Sequence, residues 1–336
     1  YRFKNMKLAI VGVTGLVGRK MLEILEQKDI KVEALFPVAS EKSTGNRILF
    51  KNKEYKVISI HELIDKKPEI ALFSAGSQVS KEWAPQLAEI GCRVIDNSSY
   101  WRMRHKHKLI VPEINFNDLN LSSTTVSKSD MIIANPNCST IQLVIAISEI
   151  HKKFKIKRMI VSTYQAVSGS GKKAINQLHN ESKSISTKKV YERQIFNNII
   201  PQCDIFDEDQ YTKEEHKIIN ETNKILNSKI RITATAVRVP IENSHSESVN
   251  IELVNNTTTE ELIQVLKQTK GVQYMGRANN YYSTPNEATG SDLVYVGRVR
   301  RDFSKNNCFN LWVVSDNLRK GAATNAIQIL EKIINK

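Results

Sequence analysis

A glycine-rich turn near the start of the chain places the first constraint on the fold. Residues 7–27 read KLAIVGVTGLVGRKMLEILEQ, in which an apolar run meets Gly12, Gly15 and Gly18 and then an amphipathic segment with helical spacing. Glycines at this spacing allow a tight turn and let the backbone approach a pyrophosphate at the helix N-terminus. Between a strand and a helix, the pattern predicts a dinucleotide-binding unit; a similar turn without a ligand is the alternative.

The loop after the second predicted strand indicates which dinucleotide is bound. The strand lies in KVEALFPVAS and ends without the acidic residue that usually holds a ribose 2′-hydroxyl. Ser40, Lys42, Ser43 and Thr44 follow it, with Glu41 among them. Hydroxyl groups and a cation suit an additional phosphate, so this loop favours NADP over NAD.

Strand and helix patterns continue to alternate after this loop. We predict strands at KVISI, EIALFSAG and CRVIDNSS and helices at residues 61–65 and 80–90. This alternation is typical of a doubly wound parallel sheet. Gly76 and Ser77 follow the strand EIALFSA, at the kind of strand end where ligands of open sheets bind.

The main candidate for catalysis lies in residues 132–154, which read IIANPNCSTIQLVIAISEIHKKF. A short strand pattern ends before the NPNC motif, and an apolar helical pattern follows Cys138. We expect Ser139 and Thr140 to cap this helix. A helix N-terminus favours a thiolate over a thiol, so Cys138 is a candidate nucleophile; a buried structural cysteine is the alternative.

The second half of the chain has longer strand patterns, which include RMIVSTYQ, RITATAVRVPIENSHSESVNIELV, SDLVYVGRVRRD and NCFNLWVVSDN. They predict a mixed or antiparallel sheet. Arg238 and His245 bracket the turn VPIENS, where they are either surface residues or a carboxylate-binding arginine and a proton-transferring histidine. Glu214 and Lys217 lie one turn apart in a helix predicted for DEDQYTKEEHKIINETNKIL, residues 207–226, and this spacing by itself indicates an exposed ion pair.

Composition restricts the partners and the compartment. The 336 residues carry a formal net charge of +14, but the basic residues are spread along the chain, so we expect no nucleic-acid partner. The chain lacks a run of about 18 apolar residues, so we expect no membrane span. Four scattered cysteines without CxxC spacing indicate neither a metal site nor a disulfide framework, and they predict a cytoplasmic location.

These segments together resemble the aspartate-semialdehyde dehydrogenase family. The resemblance covers nearly the whole chain, through GVTGLVG, FSAG, DNSSYWRM, NPNCST, QAVSGSG, EEHK, RVPIENSHSES and DNLRKGAATNA in one order. It implies an α/β fold with a Rossmann-type NADP-binding domain (1–134 and 321–336) and an α+β catalytic and dimerisation domain with a mixed sheet (135–320). It also implies a homodimer, with a tetramer as the alternative.

The resemblance implies a reaction as well. This is the reversible, NADP-dependent reductive dephosphorylation of L-4-aspartyl phosphate, an amino-acid acyl phosphate, to L-aspartate 4-semialdehyde through a cysteine thioester, with release of inorganic phosphate. The pathways served would be the biosynthesis of lysine, threonine and methionine. The alternatives are a related acyl-phosphate reductase of the N-acetyl-glutamyl-phosphate type and a catalytically silent nucleotide-binding paralogue.

The family motifs also imply roles for individual residues. Cys138 would be the nucleophile, Gln165 its orienting partner and His245 the acid/base. The implied substrate-binding residues are Arg238 for the carboxylate, Glu214 for the amino group, Arg102 and Lys217 for the phosphate, and Asn137. The implied nucleotide-binding residues are Gly12, Thr14, Gly15, Leu16, Val17, Gly18, Ser40, Lys42, Ser43, Thr44, Ser74, Gly76, Gly169, Asn317 and Asn325.

Two positions depart from the family pattern. Ser244 precedes the histidine where Gly or Ala is expected, which bears on the geometry of that turn. Lys42 stands where Arg is common, which bears on the affinity for the 2′-phosphate.

Overall fold

The computed structural model of the protein describes residues 6–28, 30–119, 128–186 and 188–335. The chain divides into two compact units. Unit 1 comprises Tyr1–Pro136 and Ala322–Lys336, and unit 2 comprises Asn137–Gly321. Among the described residues, no helix has both the length and the apolar character needed to cross a bilayer.

Unit 1 alternates strands and helices along the chain. Its strands are β1 (Met6–Val11), β2 (Val32–Val38), β3 (Arg47–Phe50), β4 (Lys53–Lys56), β5 (Ile70–Phe73), β6 (Arg93–Asp96), β7 (Lys108–Leu109) and β8 (Ile132–Ala134). Its helices are α1 (Leu16–Gln27), α2 (Ile60–Lys66), α3 (Ser77–Glu89) and the C-terminal helix (Thr324–Ile334).

The main sheet of unit 1 is parallel and has the strand order β2-β1-β5-β6-β8-β7. Its hydrophobic core includes Met21 and Leu25 of α1 and Ile327 and Leu330 of the C-terminal helix. Strands β2 and β5 lie on opposite sides of β1, so the strand order reverses there, and doubly wound sheets bind ligands beyond the strand ends at such a point. The expected doubly wound parallel sheet is confirmed.

The predicted strand KVISI, residues 56–60, is wrong as a separate strand. Strands β3 and β4 form an antiparallel hairpin that ends at Lys56. After it, Val57 makes backbone hydrogen bonds to Gly45 and Asn46, and Ile58 forms a single bridge to Val38. Ser59 is the N-cap of α2, and its hydroxyl accepts a hydrogen bond from the N–H of Glu62 at 3.3 Å. The start of the helix therefore ends the extended pairing.

Unit 2 is built on a second, mixed sheet. Its strands are β9 (Ile156–Gln165), β10 (Arg231–Arg238), β11 (His245–Leu253), β12 (Val272–Met275), β13 (Val294–Arg301) and β14 (Cys308–Ser315). Its helices are α4 (Cys138–Phe154), α5 (Lys172–Ser182), α6 (Lys213–Ile225), α7 (Thr259–Gln268) and α8 (Pro285–Ala288).

The sheet of unit 2 has the order β10-β9-β11-β14-β13-β12. The pairs β9–β10 and β12–β13 are parallel, and the three other pairs are antiparallel. Helix α4 packs against β9, β11 and β14, so the predicted NPNCST helix lies on this sheet. The expected mixed sheet, and with it the α/β fold class, is confirmed.

Two helices begin elsewhere than the sequence predicts. Helix α3 begins at Ser77 and not at Ser80, because Gly76 takes a positive φ of 87° and turns the chain directly into the helix. Helix α6 begins only at Lys213, because Thr212 forms a capping box and the acidic residues before it are not helical.

Candidate active site

Cys138 is the first residue of α4, at the N-terminus of a 17-residue helix. Asn137 caps the helix: its Oδ1 accepts hydrogen bonds from the N–H groups of Ser139 and Thr140 at 3.0 and 3.2 Å. The expected capping by Ser139 and Thr140 is therefore wrong, since both lie inside the first turn. The partial positive charge at this helix end favours an anionic sulfur on Cys138.

The buried carboxylate of Glu214, on α6, gathers polar groups beside this helix start. Its Oε1 accepts from Asn137 Nδ2 at 2.9 Å and from Gln165 Nε2 at 3.2 Å, and its Oε2 accepts from Lys217 Nζ at 3.1 Å. Burial alone would raise the pKa of Glu214, but the charge of Lys217, the Asn137 hydrogen bond and the charge of Arg238 lower it to about 2. Glu214 is thus ionised at neutral pH, and its ion pair with Lys217 is largely buried, not exposed.

Gln165, the last residue of β9, connects this carboxylate to α4. Its Nε2 donates to Ser139 Oγ at 2.8 Å as well as to Glu214, and the side chain is buried. These bonds hold the first turn of α4 against the end of β9. Gln165 is thus linked to Cys138 through the neighbouring residue Ser139, and its orienting role stays a prediction.

Lys217, expected to bind phosphate, already contacts two carboxylates. Its Nζ donates to Asp204 Oδ2 at 2.7 Å and to Glu214 Oε2 at 3.1 Å. A phosphate ligand at this ammonium would have to compete with Asp204.

Arg238 ends β10 and His245 begins β11, and both side chains lie beside Gly169. A Cβ atom at Gly169 would be 3.0 Å from Arg238 Nη1 and 3.3 Å from His245 Nε2. Arg238 Nη1 donates to the carbonyl oxygen of Ala166 at 2.7 Å, whereas its buried Nε has no partner among the described residues. A guanidinium with unused donors is suited to bind an anionic ligand. Gly169, expected at the nucleotide, lies in contact range of these two side chains.

The thiol of Cys138 interacts electrostatically with Arg238. Burial alone would lower the pKa of Arg238, but Cys203, Tyr191, Glu214 and Cys138 raise it above its ordinary value. The guanidinium therefore stays charged inside unit 2. Its charge in turn favours the thiolate form of Cys138.

His245 is held as a neutral ring with a defined tautomer. Its Nδ1 accepts a hydrogen bond from the N–H of Ala166 at 3.1 Å. Burial, followed by the charge of Arg238, lowers the pKa of His245 to about 3. A neutral ring that accepts at Nδ1 carries its proton on Nε2, which is buried and has no partner in the described part of the chain. A ring in this state presents its Nε2–H as a hydrogen-bond donor, and the acid/base role expected of His245 stays a prediction.

The turn before His245 forms with a serine at the position where Gly or Ala is expected. Ser244 adopts a φ of 69°, in the left-handed region. Its N–H donates to Asn317 Oδ1 at 2.8 Å, and its Oγ lies 2.8 Å from Thr289 Oγ1. Asn317 Nδ2 also donates to Ser168 Oγ at 3.0 Å. Asn317, expected at the nucleotide, thus supports the histidine turn, and a nucleotide contact remains a prediction.

Two residues near Cys138 were not identified from the sequence. A Cβ atom at Gly321 would lie 3.0 Å from the Cβ of Cys138. The absence of a side chain at Gly321 therefore provides room for Cys138. Glu221 Oε2 accepts the N–H of Asn137 at 2.7 Å. In the sequence, Gly321 stands out only as part of the motif DNLRKGAATNA, because no local pattern indicates a contact with so distant a position.

A cavity of about 440 Å³ in unit 2 adjoins Arg238. Its lining includes Tyr191, Arg193, Cys203 and Asp204. The ring centroid of Tyr191 lies 5.9 Å from the guanidinium carbon of Arg238. The volume is within the range of small-molecule binding sites.

In unit 1, the turn between β1 and α1 has the close backbone packing of a phosphate-binding loop. Gly12 has a φ of 88°, and a Cβ atom there would lie 2.3 Å from the carbonyl oxygen of Ser74. A Cβ atom at Gly18 would lie 2.2 Å from the carbonyl oxygen of Gly12. Gly15, the N-cap of α1, has no side chain to bond the N–H groups of the first turn, which suits an anionic ligand. The remaining expected residues of this turn are Thr14, Leu16 and Val17.

The other expected nucleotide loops follow the two strands beside β1. Ser74 and Gly76 come after β5, and the segment Ser40–Thr44 comes after β2, with Ser43 between Lys42 and Thr44 in a short helical turn. Because neighbouring parallel strands end at the same edge of a sheet, these loops lie next to the β1–α1 turn. Lys42 and Thr44 are exposed there.

Two further expected site residues are hydrogen-bonded within unit 1. Arg102 is buried, and its Nη2 donates to the carbonyl oxygen of Asn97 at 2.9 Å. Asn325 is also buried, and its Nδ2 donates to the carbonyl oxygen of Ile110 at 3.0 Å and to Asn135 Oδ1 at 2.7 Å. This amide anchors the C-terminal helix, and a nucleotide contact by Asn325 remains a prediction.

The fold defines the class of α/β proteins that combine a parallel dinucleotide-binding sheet with a separate mixed-sheet unit. Comparison with family models agrees with each unit. Residues 7–122 match the model described as semialdehyde dehydrogenase, NAD binding domain. Residues 147–320 match the model described as semialdehyde dehydrogenase, dimerisation domain.

Comparison with individual proteins identifies the family within this class. The chain is 47% identical to the aspartate-semialdehyde dehydrogenase of Aquifex aeolicus and 41% identical to that of Bacillus subtilis, each over 98% of both chains. The crystal structure of aspartate semialdehyde dehydrogenase II from Vibrio cholerae complexed with ASA has a TM-score of 0.93 at 40% identity, over 99% of both chains. This chain belongs to the aspartate-semialdehyde dehydrogenase family, and the resemblance seen in the motifs is confirmed.

Proposed function

We propose that the protein catalyses the reversible, NADPH-dependent reductive dephosphorylation of L-4-aspartyl phosphate to L-aspartate 4-semialdehyde through a thioester on Cys138. Unit 1 would be the nucleotide-binding domain and unit 2 the catalytic domain. The observation that carries this proposal is the grouping of Arg238 and His245 around Gly169, with Cys138 in electrostatic range of the arginine.

The residues of unit 1 fit a dinucleotide. Side chains at Gly12 and Gly18 would collide with backbone atoms, and the uncapped start of α1 offers N–H groups to a pyrophosphate. Lys42 and the hydroxyl groups around it suit the 2′-phosphate of NADP. The bound cofactor supplies the hydride of the reduction.

The charges in unit 2 fit an amino acid that carries an acyl phosphate. Arg238 would bind the α-carboxylate, and Glu214, which is ionised at neutral pH, would bind the α-ammonium group. Lys217 in unit 2 and Arg102 in unit 1 would serve the phosphate, and Asn137 would support the site by holding Glu214. An N-acetylated substrate has no ammonium group for Glu214, so this carboxylate favours the aspartyl substrate.

Acylation begins with the thiolate of Cys138. Its sulfur forms a bond to the acyl carbon while the bond from that carbon to the phosphate oxygen breaks, and phosphate leaves with the electron pair. The helix N-terminus and Arg238 favour the thiolate, so the step does not require His245 to remove a proton.

Reduction of the thioester places negative charge on its carbonyl oxygen. The Nε2–H of His245 would donate a hydrogen bond to this oxygen, which stabilises the tetrahedral thiohemiacetal anion. When the carbon–sulfur bond breaks, the carbonyl re-forms and Cys138 leaves as a thiolate. The reduction steps themselves need no proton, which agrees with a histidine that stays neutral. The one proton that the overall reaction consumes is taken up from solvent by the phosphate released in the acylation.

We also propose a homodimer that forms through unit 2. This part of the chain matches the dimerisation domain of the family. Exposed apolar side chains on the sheet, including Ile160 and Tyr164, supply surface that a second subunit could cover. Light scattering at micromolar concentration should give twice the chain mass; the mass of one chain would overturn the dimer, and four times the mass would indicate a tetramer.

The catalytic proposal is tested with aspartate semialdehyde, inorganic phosphate and either NADP or NAD, by following reduced nucleotide through its absorbance. We expect phosphate-dependent formation of NADPH and a slower reaction with NAD. A parallel assay with N-acetyl-glutamate semialdehyde examines the related reductases. Activity only with the acetylated substrate would assign the chain to those enzymes, and nucleotide binding without any turnover would assign it to a silent paralogue.

A further inference from the structure

Two neighbouring strands of unit 2, β9 and β11, carry a second row of polar side chains directly behind the candidate site. His245 and Glu247 are two residues apart on β11, and Gln165 and Thr163 are two residues apart on β9. Side chains two residues apart in a strand point to the same face. Glu247 pairs directly with Thr163 across the two strands. A row with Thr163 and Glu247 therefore follows the row with Gln165 and His245.

Helix α4 also carries two polar residues in succession on one face, one beside each row of the sheet. Cys138 and Gln142 are four residues apart, so they share one face of the helix. The first turn of α4 lies against the first row, because Ser139 Oγ accepts a hydrogen bond from Gln165 at 2.8 Å. One turn further along the helix, the Gln142 amide lies close enough to the Glu247 carboxyl to affect its pKa, although no bond between them meets hydrogen-bond geometry. Each row thus joins α4 to the sheet with polar side chains.

The second row is completely enclosed. Gln142, Thr163 and Glu247 are at most 1% exposed. Both polar atoms of Gln142, both carboxyl oxygens of Glu247 and the hydroxyl of Thr163 lack a partner within hydrogen-bond geometry among the described residues. Buried polar groups cost free energy unless they are paired, so residues selected only for packing would be apolar here.

The row that follows Thr163 and Glu247 along the same strands is apolar, so apolar residues can fill buried positions on this face of the sheet. Val161 on β9, Val249 on β11 and Leu311 on β14 are buried and aligned with one another. Polar residues therefore occupy only the two rows nearest the start of α4. This placement favours a role connected with Cys138 and His245 over a general role in the core.

The carboxyl of Glu247 is suited to act as a neutral acid. Burial raises its pKa well above the ordinary value, and the nearby Gln142 amide opposes this only in part. A protonated carboxyl and a carboxamide each offer one donor side and one acceptor side, so they are complementary. A carboxylate at this place would leave an uncompensated charge.

We propose that Glu247 and Gln142 form a neutral positioning pair, which links the Cys138 helix to the His245 strand and sets the placement of the sulfur relative to the imidazole. Neither residue touches the reacting atoms. The pair acts through α4 and β11, which carry Cys138 and His245. The inference rests on the proposed function, because it gives the pair a task in that reaction.

The test compares Glu247→Gln, which keeps a neutral donor and acceptor, with Glu247→Leu, which keeps an apolar volume only. The first readout needs no substrate: it is the rate of alkylation of Cys138 by iodoacetamide between pH 5 and 9, measured on the Cys138 peptide by mass spectrometry. The second readout is kcat and KM for aspartate semialdehyde. Gln142→Leu serves as a second variant should Glu247→Leu fail to fold.

For Glu247→Leu we expect a displaced midpoint of the alkylation profile and a kcat lower by about tenfold or more, with KM nearly unchanged. Glu247→Gln should stay within about threefold of the wild type in both readouts. Val249→Ala is the matched control: it opens the same buried face of β11 without removing the pair. This variant should have a lower melting temperature, and the midpoint of its alkylation profile should be the same as in the wild type.

Two results would overturn the inference. If Glu247→Leu lowers only the melting temperature, as Val249→Ala does, the pair is merely structural. If Glu247→Gln is as impaired as Glu247→Leu, an ionised carboxylate is required and the pair is not neutral. A wild-type protein without semialdehyde activity would refute the proposed function, whereas the alkylation profiles would still decide whether the pair positions Cys138.

Discussion

The backbone N–H of Ala166 donates to Nδ1 of His245 at 3.1 Å, and this bond determines which nitrogen of the ring carries the proton. Because the ring is enclosed and lies near Arg238, the pKa of His245 falls to about 3. The Nε2–H is therefore a hydrogen-bond donor at every pH at which the enzyme would operate. A neutral histidine of this kind stabilises developing negative charge without exchanging its proton.

Removal of this donor should reduce turnover. In His245→Asn, Oδ1 can still accept the Ala166 N–H, but the Nε2 donor is lost. We expect kcat to fall by about 10²- to 10³-fold. The pH profile of the wild-type kcat should show no histidine ionisation between pH 5.5 and about 7.5. A clear inflection near pH 6.5 that disappears in the variant would contradict a permanently neutral ring.

The same burial should make the folded protein sensitive to acid. Between about pH 3 and the reference pKa of 6.5, the unfolded chain binds a proton at His245 that the native protein does not bind. The free energy of unfolding therefore rises with pH in this window, and the contribution of His245 is constant above it. The relevant range is pH 4.5 to 6.5, above the titration of Glu214. In this range the free energy of unfolding should increase with pH more steeply for the wild type than for His245→Asn. The two slopes should differ by up to about 1.4 kcal/mol per pH unit.

Urea titrations at several pH values measure this slope. Val249→Ala is the control, because it lowers stability without removing an ionisable group and should leave the pH dependence as in the wild type. Equal slopes in the wild type and His245→Asn would mean that the native ring does take up a proton in this range.

Replacement of Cys138 by Ala should abolish turnover and leave nucleotide binding intact. The thioester cannot form without the sulfur, whereas the loops that fit the nucleotide belong to unit 1. Titration of NADPH fluorescence measures binding, and the phosphate-dependent assay measures turnover. Residual activity above about one part in 10⁴ of the wild type would refute the covalent mechanism.

Arg238→Ala should impair binding of the amino-acid substrate far more than binding of NADP. The guanidinium is buried and has an unused Nε, so its loss should reduce kcat/KM by about 10² or more. Arg231→Ala, at the exposed start of the same strand, is the control and should have little effect. Similar losses for substrate and NADP would instead indicate that Arg238 supports the fold of unit 2.

Asp204→Asn should improve the use of inorganic phosphate. The carboxylate of Asp204 lies 2.7 Å from Lys217 Nζ and competes with any phosphate for that ammonium. We expect the KM for phosphate to fall by about two- to fivefold, because one anionic competitor is neutralised. Asp207→Asn, an exposed change on the same segment, should leave this KM as it is. A higher KM in Asp204→Asn would mean that Asp204 holds Lys217 in its binding position.

The sequence alone was sufficient for the fold class, because local spacing reports it. The strand–glycine–helix pattern around Gly12 and the alternation after it correctly predicted a parallel sheet, and the longer strands of the second half predicted the mixed one. Boundaries were less accurate, since capping decides them. Gly76, Ser59 and Thr212 each start a helix or end a strand by one local bond or dihedral angle that periodicity does not detect.

Within the candidate site, the sequence identified residue types, and only the tertiary structure decided their states. The motifs pointed to Cys138, Arg238 and His245, because each stands in a recognisable local pattern. The proton on Nε2 of His245, the ionised Glu214 and the enclosed Glu247 depend on burial and on charges contributed by distant segments. A pKa is determined by the whole environment of a group, so spacing along a chain can locate an acid or a base but cannot set its charge.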